Sequence, residues 1–209
     1  MGYKGAPQTN SMKHAIHIRT MRTTDIHSVS RLHMRVLPTT IARIGNPYLS
    51  NLYAKLLEDA SSHLALVARI DDQIIGVITA TKDLYITQRA LQRMLFYPTT
   101  IIAVIRAVLR HRVKVAELIE RMSTERQIRI RFHGSYPTIL TFFVDTAHQH
   151  KGIGKKLLVE VQKHLPKNTK LYVDTEMTNT HAQQWYSAHG FKKIDTIGPN
   201  IIYRHQNSD

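Results

Sequence analysis

One segment in the last third of the chain restricts the fold more than any other. An apolar, β-branched and aromatic stretch over 139–144 leads into Gln149-His150-Lys151-Gly152-Ile153-Gly154, after which Leu157, Leu158, Val161 and Leu165 recur at helical spacing. The order is strand, short loop with two glycines, helix. Glycines let a backbone approach a ligand closely, and the first amides of a helix have no intrahelical partner. Those amides and the helix dipole favour an anion, so the segment predicts a phosphate or pyrophosphate site and a cofactor that carries one. Two better-known phosphate loops do not fit. A dinucleotide fingerprint needs a third glycine where this chain has Leu157, and a Walker loop needs Ser or Thr where it has Lys156. On its own, a pair of glycines could equally be a plain turn.

A second segment about thirty residues on changes that balance. After a strand over 170–174 comes Asn179-x-x-Ala182-x-x-Trp185-Tyr186-x-x-x-Gly190-Phe191. Asn179 is a good helix opener, Gly190 suits the left-handed end position, and Ala182, Trp185, Tyr186 and His189 share a helix face. Together the two segments resemble the GNAT family of N-acetyltransferases, whose cofactor loop reads Q/R-x-x-G-x-G/A and whose next helix reads N-x-x-A-x-x-x-Y-x-x-x-G-F. The resemblance runs from about Ile16 to Tyr203, apart from one large insertion, which is similar to that of a bacterial subgroup with helices between strands three and four.

The resemblance implies an α/β (α+β) fold: a mixed, mostly antiparallel twisted sheet flanked by helices, with strands four and five parallel and splayed. It also implies acetyl-CoA as cosubstrate and transfer to a primary amine by direct attack in a ternary complex. By the same resemblance, backbone at Gln149, His150, Lys151, Gly152, Ile153, Gly154 and Lys155 holds the pyrophosphate. Phe142, Phe143 and Val144 pair with the pantetheine arm as an added strand would. Asn179 hydrogen-bonds that arm, and Tyr186 is the general acid for the leaving thiolate, a reasonable donor given a phenol pKa of about 10. The base is not fixed by spacing: Asp145, Asp174, Glu176 and His133 are candidates, with Asp145 expected at the surface. Thr146 stands where the family often has proline, and the long gap from Val173 to Asn179 predicts a bulge or extra half-turn.

The remaining elements follow the same order, β-α-α-β-β-β-α-β-α-β-β. A strand over 15–19 is followed by a helix capped at Thr24-Asp25 and a second begun at Asn46-Pro47. A hairpin covers 64–81, with Gly76 marking a bulge or a close approach. Residues 1–14 read as a disordered lead-in, and 15–205 as one domain that includes an insertion at 82–137. The insertion predicts a helix over 86–96, a break at Pro98, and one amphipathic helix running from Ile101 past Ile119.

Charge is the unusual global property. The formal net charge is +14, and the insertion holds 11 Lys and Arg against 4 Asp and Glu. The plain reading is a helical pair with a solvated basic face; the sharper one is a cap for an anionic acceptor, or a surface meeting acidic lipid. Nucleic acid is disfavoured, since no reading module is present and the aromatics do not interleave the basic residues. The histidines lack metal-ligand spacing, and no metal is expected. No apolar run reaches the ~18 residues of a membrane span. With no cysteine in the chain, a cytoplasmic location is expected, with peripheral contact to the inner face of a membrane as the second reading. A homodimer stays open. The acceptor site is expected from 37–45, the insertion and the turn between the last two strands. Amino sugars, other small amines and protein or peptide amines all remain candidates, as does a non-catalytic acyl-CoA- or nucleic-acid-binding module of the same fold.

Overall fold

The computed structural model describes residues 15–132 and 136–206, so the lead-in and His133 lie outside it. The β-branched and alternating stretches form seven strands: β1 (Ile16–Thr20), β2 (His63–Ile70), β3 (Gln73–Thr81), β4 (Thr138–Val144), β5 (Lys170–Glu176), β6 (Lys192–Ile197) and β7 (Asn200–Gln206). They make one sheet of order β1-β2-β3-β4-β5-β7-β6. Every neighbouring pair is antiparallel except β4 beside β5. This is the mixed, mostly antiparallel sheet that the sequence implied.

Helices cover both faces. On one lie α1 (Ile26–Val36) and α3 (Asn46–Glu58), with the short α2 (Thr40–Ile44) between them. Val29, Leu49 and Tyr53 from these helices pack on Ala65, Val67, Val77 and Phe143 of the sheet. On the other lie α7 (Ile153–Lys163) and α8 (Thr180–Ala188), whose Ile153, Leu157, Val161 and Tyr186 pack on Leu66, Ala68 and Ile78. Alternation along each strand sends successive residues to opposite cores, and each large apolar side chain buried there contributes about 1.5–3 kcal/mol.

Two irregularities position the site. In β3, Ala68 faces Gly76 while Arg69 faces Ile74, which leaves Ile75 as an extra residue. Ile74 and Val77, three apart, therefore reach the same core, while Ile75 and Ile78 reach the other. A Cβ on Gly76 would stand 3.1 Å from Leu157 and 3.3 Å from Ile153, so the glycine also lets α7 lie close on the sheet. The bulge expected at Gly76 is present, and the close approach there is by side chains of α7. In β4, Thr79 faces Thr141 and Ala80 faces Ile139, so Leu140 is the extra residue. There β4 leaves β5, because only Thr138–Tyr172 and Ile139–Val173 are paired. The splay begins at that bulge.

The insertion differs from the sequence expectation. It holds three helices, α4 (Leu84–Met94), α5 (Pro98–Leu109) and α6 (Val115–Arg131). Pro98 begins α5, in the first turn where a missing N–H costs nothing. The apolar rhythm after Ile101 does not mark the break at 110–114, where His111 takes a left-handed φ of 54° and Val113 is buried. The register of β5 with β7 is continuous from Lys170 to Glu176, so the long gap before Asn179 is extra strand and a turn at 177–178, with no bulge. Among the described residues no helix is long and apolar enough to cross a membrane.

Candidate active site

The splay opens a cavity of about 740 Å³ between the end of β4, the loop into α7, and α8. Its floor is the freed edge of Phe142, Phe143 and Val144, which β3 pairs on one side and β5 has left on the other. The Phe142 ring turns into the cavity and packs edge-on against Trp185 at 4.8 Å. The Phe143 ring turns the other way, 5.1 Å from His33.

The loop that closes one end is shaped by local bonds. Gln149 Nε2 donates to the Val144 carbonyl at 3.1 Å, tying the loop to the strand. His150 and Gly152 both have positive φ, 60° and 74°. Gly152 is the N-cap of α7, and a Cβ there would meet nothing within 4 Å, so the space in front of it is open. The first intrahelical bond is Lys156 N–H to the Gly152 carbonyl at 3.1 Å, which leaves the amides of Ile153, Gly154 and Lys155 without an intrahelical acceptor. Gly154 serves packing: a Cβ would come 3.2 Å from Trp185 and 3.3 Å from Phe142. Gln149, His150, Gly152, Ile153, Gly154 and Lys155 all line the cavity. Lys151 does not; its Nζ folds back to the Ala147 carbonyl at 3.1 Å.

Helix α8 supplies the opposite wall. Asn179 caps it, Oδ1 accepting from Ala182 N–H at 3.1 Å, and the residue lines the cavity. Tyr186 is buried at the inner end of the same cavity, among Phe142, Phe191 and Tyr203. Burial pushes its phenol above the usual range, and the carboxylate of Asp174 adds to that. Sequence reasoning passed over His181, Trp185 and His189 as cavity residues, although their i, i+4, i+8 spacing beside Tyr186 was visible; Trp185 and His189 stack at 3.9 Å.

A second cavity of about 350 Å³ opens on the other side of the splay. Pro38, Ile41 and Arg43, the insertion helices α4 and α6, and Pro199-Asn200 line it, so the three segments expected to surround an acceptor do meet. Pro38 and Glu176 line both cavities. Three of the four acidic residues of the insertion, Glu117, Glu120 and Glu125, face this cleft together with Asp174 and Glu176, against Arg43 and Arg121. Arg43 pairs with Glu117, and Arg121 with Glu125 at 2.7 Å. Glu120, Asp174 and Glu176 thus remain as excess negative charge. Asp174 accepts from Asn200 Nδ2 at 2.6 Å. Asp174 is itself exposed to the open cleft, and the protein mass around it raises its carboxyl above the ordinary aspartate range, against the opposing pull of Arg121 and Asn200.

One expectation is corrected here. Asp145 is not a surface residue: it is buried, accepts from Arg35 at 2.6 Å and from the Ala147 amide at 3.3 Å, and caps the turn after β4. It is thereby removed as a base. Arg106, Arg110 and Lys114 line neither cavity. Among the described residues, no group of three or more His, Cys, Asp or Glu could hold a metal.

Residues 27–191 match the model of a family described as acetyltransferase (GNAT). No curated protein matches significantly. Among solved structures, the PaiA N-acetyltransferase from Thermoplasma acidophilum, in complex with coenzyme A, superposes with a TM-score of 0.56 at 17% identity, over 92% of this chain and 99% of that one. NAA60 from Arabidopsis thaliana, in complex with acetyl-CoA, gives 0.56 at 15% identity over 92% and 98%. The ribosomal-protein-S18-alanine N-acetyltransferase from Escherichia coli gives 0.55 at 13% over 93% and 96%. At such identities the likeness is one of fold.

Proposed function

The chain belongs to the acetyltransferase (GNAT) family, and from that premise we propose that it moves the acetyl group of acetyl-CoA to a primary amine on a molecule bearing at least one further positive charge. One observation carries the reading. Two cavities meet at the gap between β4 and β5, one floored by a free strand edge and helix amides, the other holding uncompensated carboxylates.

The larger cavity suits the cosubstrate. Amides of Ile153, Gly154 and Lys155 meet the pyrophosphate, the edge of Phe142 to Val144 pairs with the amide groups of the pantetheine arm, and the Asn179 amide joins them. That pairing directs the thioester towards the gap. The ammonium of the acceptor enters from the acidic cleft and must lose a proton before it can attack. Asp174, which lines the cleft beside the gap, accepts that proton through water. The neutral nitrogen then bonds to the thioester carbon. The C–S bond breaks, the thiolate takes the Tyr186 proton, the nitrogen's remaining excess proton returns through water to the Tyr186 phenolate, and Asp174 sheds the first proton to solvent. Keeping Tyr186 protonated is the part that burial and the Asp174 charge perform.

Thiol release from acetyl-CoA, measured over monoamines, diamines, polyamines, basic peptides and amino sugars, tests the reading. The expected result is a kcat/KM rising by about tenfold from a monoamine to a matched diamine, and falling with added salt. Equal use of an uncharged-tail or anionic amine would remove the acceptor class, and absence of acetyl-CoA binding would remove the activity.

A further inference from the structure

The helices of the insertion are built inside out. In α5 the small residues Thr100, Ala103 and Ala107 face the protein, while Ile101, Ile102, Ile105 and Leu109 are exposed, Leu109 at 73%. In α6 the face turned to the cleft carries Glu117, Glu120, Arg121, Thr124 and Glu125, with Ile128 as its one apolar member. The opposite face exposes Val115, Ile119, Met122 and Ile130. Among the described residues, every exposed large hydrophobic side chain except Val159 and Met177 lies between Tyr85 and Ile130. Scattered exposed apolar residues need no explanation, but such a concentration on two joined helices marks an interaction surface.

The charge around it identifies the occupant. Between Asp83 and Glu117 there is no acidic residue, while Arg89, Arg93, Arg106, Arg110, Arg112 and Lys114 fall in that span. On α5 the row Ile101-Ile105-Leu109 lies beside the row Ile102-Arg106-Arg110, so guanidinium groups edge the apolar stripe and can reach past it on their aliphatic stems. A second copy meeting this face by two-fold symmetry would set like charges against each other. An anionic lipid surface answers both features: acyl chains accept the isoleucines and phosphates accept the arginines. We propose that α5 and the outer face of α6 dock the protein on the surface of an anionic bilayer, lying in the interface without crossing it.

The test uses the full chain and vesicles of phosphatidylcholine with or without about 30 mol% phosphatidylglycerol, a range where surface potential is substantial. The parent protein should co-sediment with the anionic vesicles at least about tenfold better than with the neutral ones, and less as salt rises. The triple variant Ile101→Gln, Ile105→Gln, Leu109→Gln should lose that binding by about tenfold or more while keeping acetyl-CoA affinity, which reports that it is folded. Failure of the parent to bind anionic vesicles overturns the proposal. So does a variant that binds them like the parent, because charge alone would then explain adsorption. A parent that sediments as a dimer, and as a monomer once the three side chains are changed, would assign the face to a second copy and overturn it equally.

Discussion

The two cavities that meet at the β4–β5 gap are made of different materials. The larger one is defined by backbone: a strand edge left unpaired, a helix start, and glycines at Gly152 and Gly154 that serve open space and close packing respectively. The smaller one is defined by charged side chains drawn from three separate parts of the chain, α2, α6 and β5. A site made of main chain recognises what every cosubstrate of one kind shares, and tolerates side-chain change. A site made of side chains can be retuned by single substitutions. Changes on the cofactor side should therefore act through shape and be insensitive to salt, and changes on the acceptor side should act through charge.

The largest effect would test the one side chain given a chemical role on the backbone-built side. Tyr186→Phe is expected to lower kcat about a hundredfold with acetyl-CoA affinity nearly unchanged, because the hydroxyl acts on the leaving group and not in ground-state binding. An unchanged kcat in single-turnover measurements would move the acid elsewhere. Next comes the divide between the two sides, where His33 lies buried under Phe143 with Nδ1 2.7 Å from the Tyr53 hydroxyl. Burial lowers its pKa to about 4, with Arg121 adding to the effect. Below pH ~6.5 the unfolded chain takes up the proton and the folded one does not, so stability is complete above that pH and falls between about 6.5 and 4. Denaturant curves should show a loss of about 2 kcal/mol from this group between pH 7 and pH 5, and His33→Gln should flatten that dependence.

A smaller effect is expected at the loop. Gly152→Val forces a β-branched residue into a left-handed conformation, at a cost of about 1–3 kcal/mol, and fills the space in front of the helix amides. Acetyl-CoA binding by calorimetry should weaken about tenfold, by the same factor at low and high salt. The smallest effect is on the acceptor side. Glu120→Gln removes one exposed charge from the cleft and should raise KM for a diamine by about threefold at low salt, a difference that disappears near 0.5 M salt. If Glu120→Gln were salt-independent and Gly152→Val salt-dependent, the contrast between the two cavities would be wrong.

The backbone-built half was the legible half. A chain that must turn with positive φ, start a helix and pack tightly records those needs as glycines and apolar spacing, so 139–165 and Asn179 to Phe191 can be read directly. The acceptor side leaves no such record. Asp145 looks like any polar residue after a strand until Arg35 arrives from 110 residues away. The break at 110–114 contains neither proline nor glycine, and the apolar rhythm continues across it. Periodicity also identifies a helix face without saying which way it points. In α5 the natural inference, large residues inward, is reversed, because α5 packs through Thr100, Ala103 and Ala107.

The two registered pairs between β4 and β5 have a consequence for the whole molecule. Sheet hydrogen bonding nearly stops there, so the chain consists of a β1–β4 half and a β5–β7 half held together by helix packing and a short seam. Such halves can open as separate cooperative units. A cosubstrate lying along Phe142 to Val144 would become the missing strand of that seam. Acetyl-CoA should then slow amide exchange in both halves at once, merge two unfolding steps into one, and act as a structural member of the sheet for as long as it is bound.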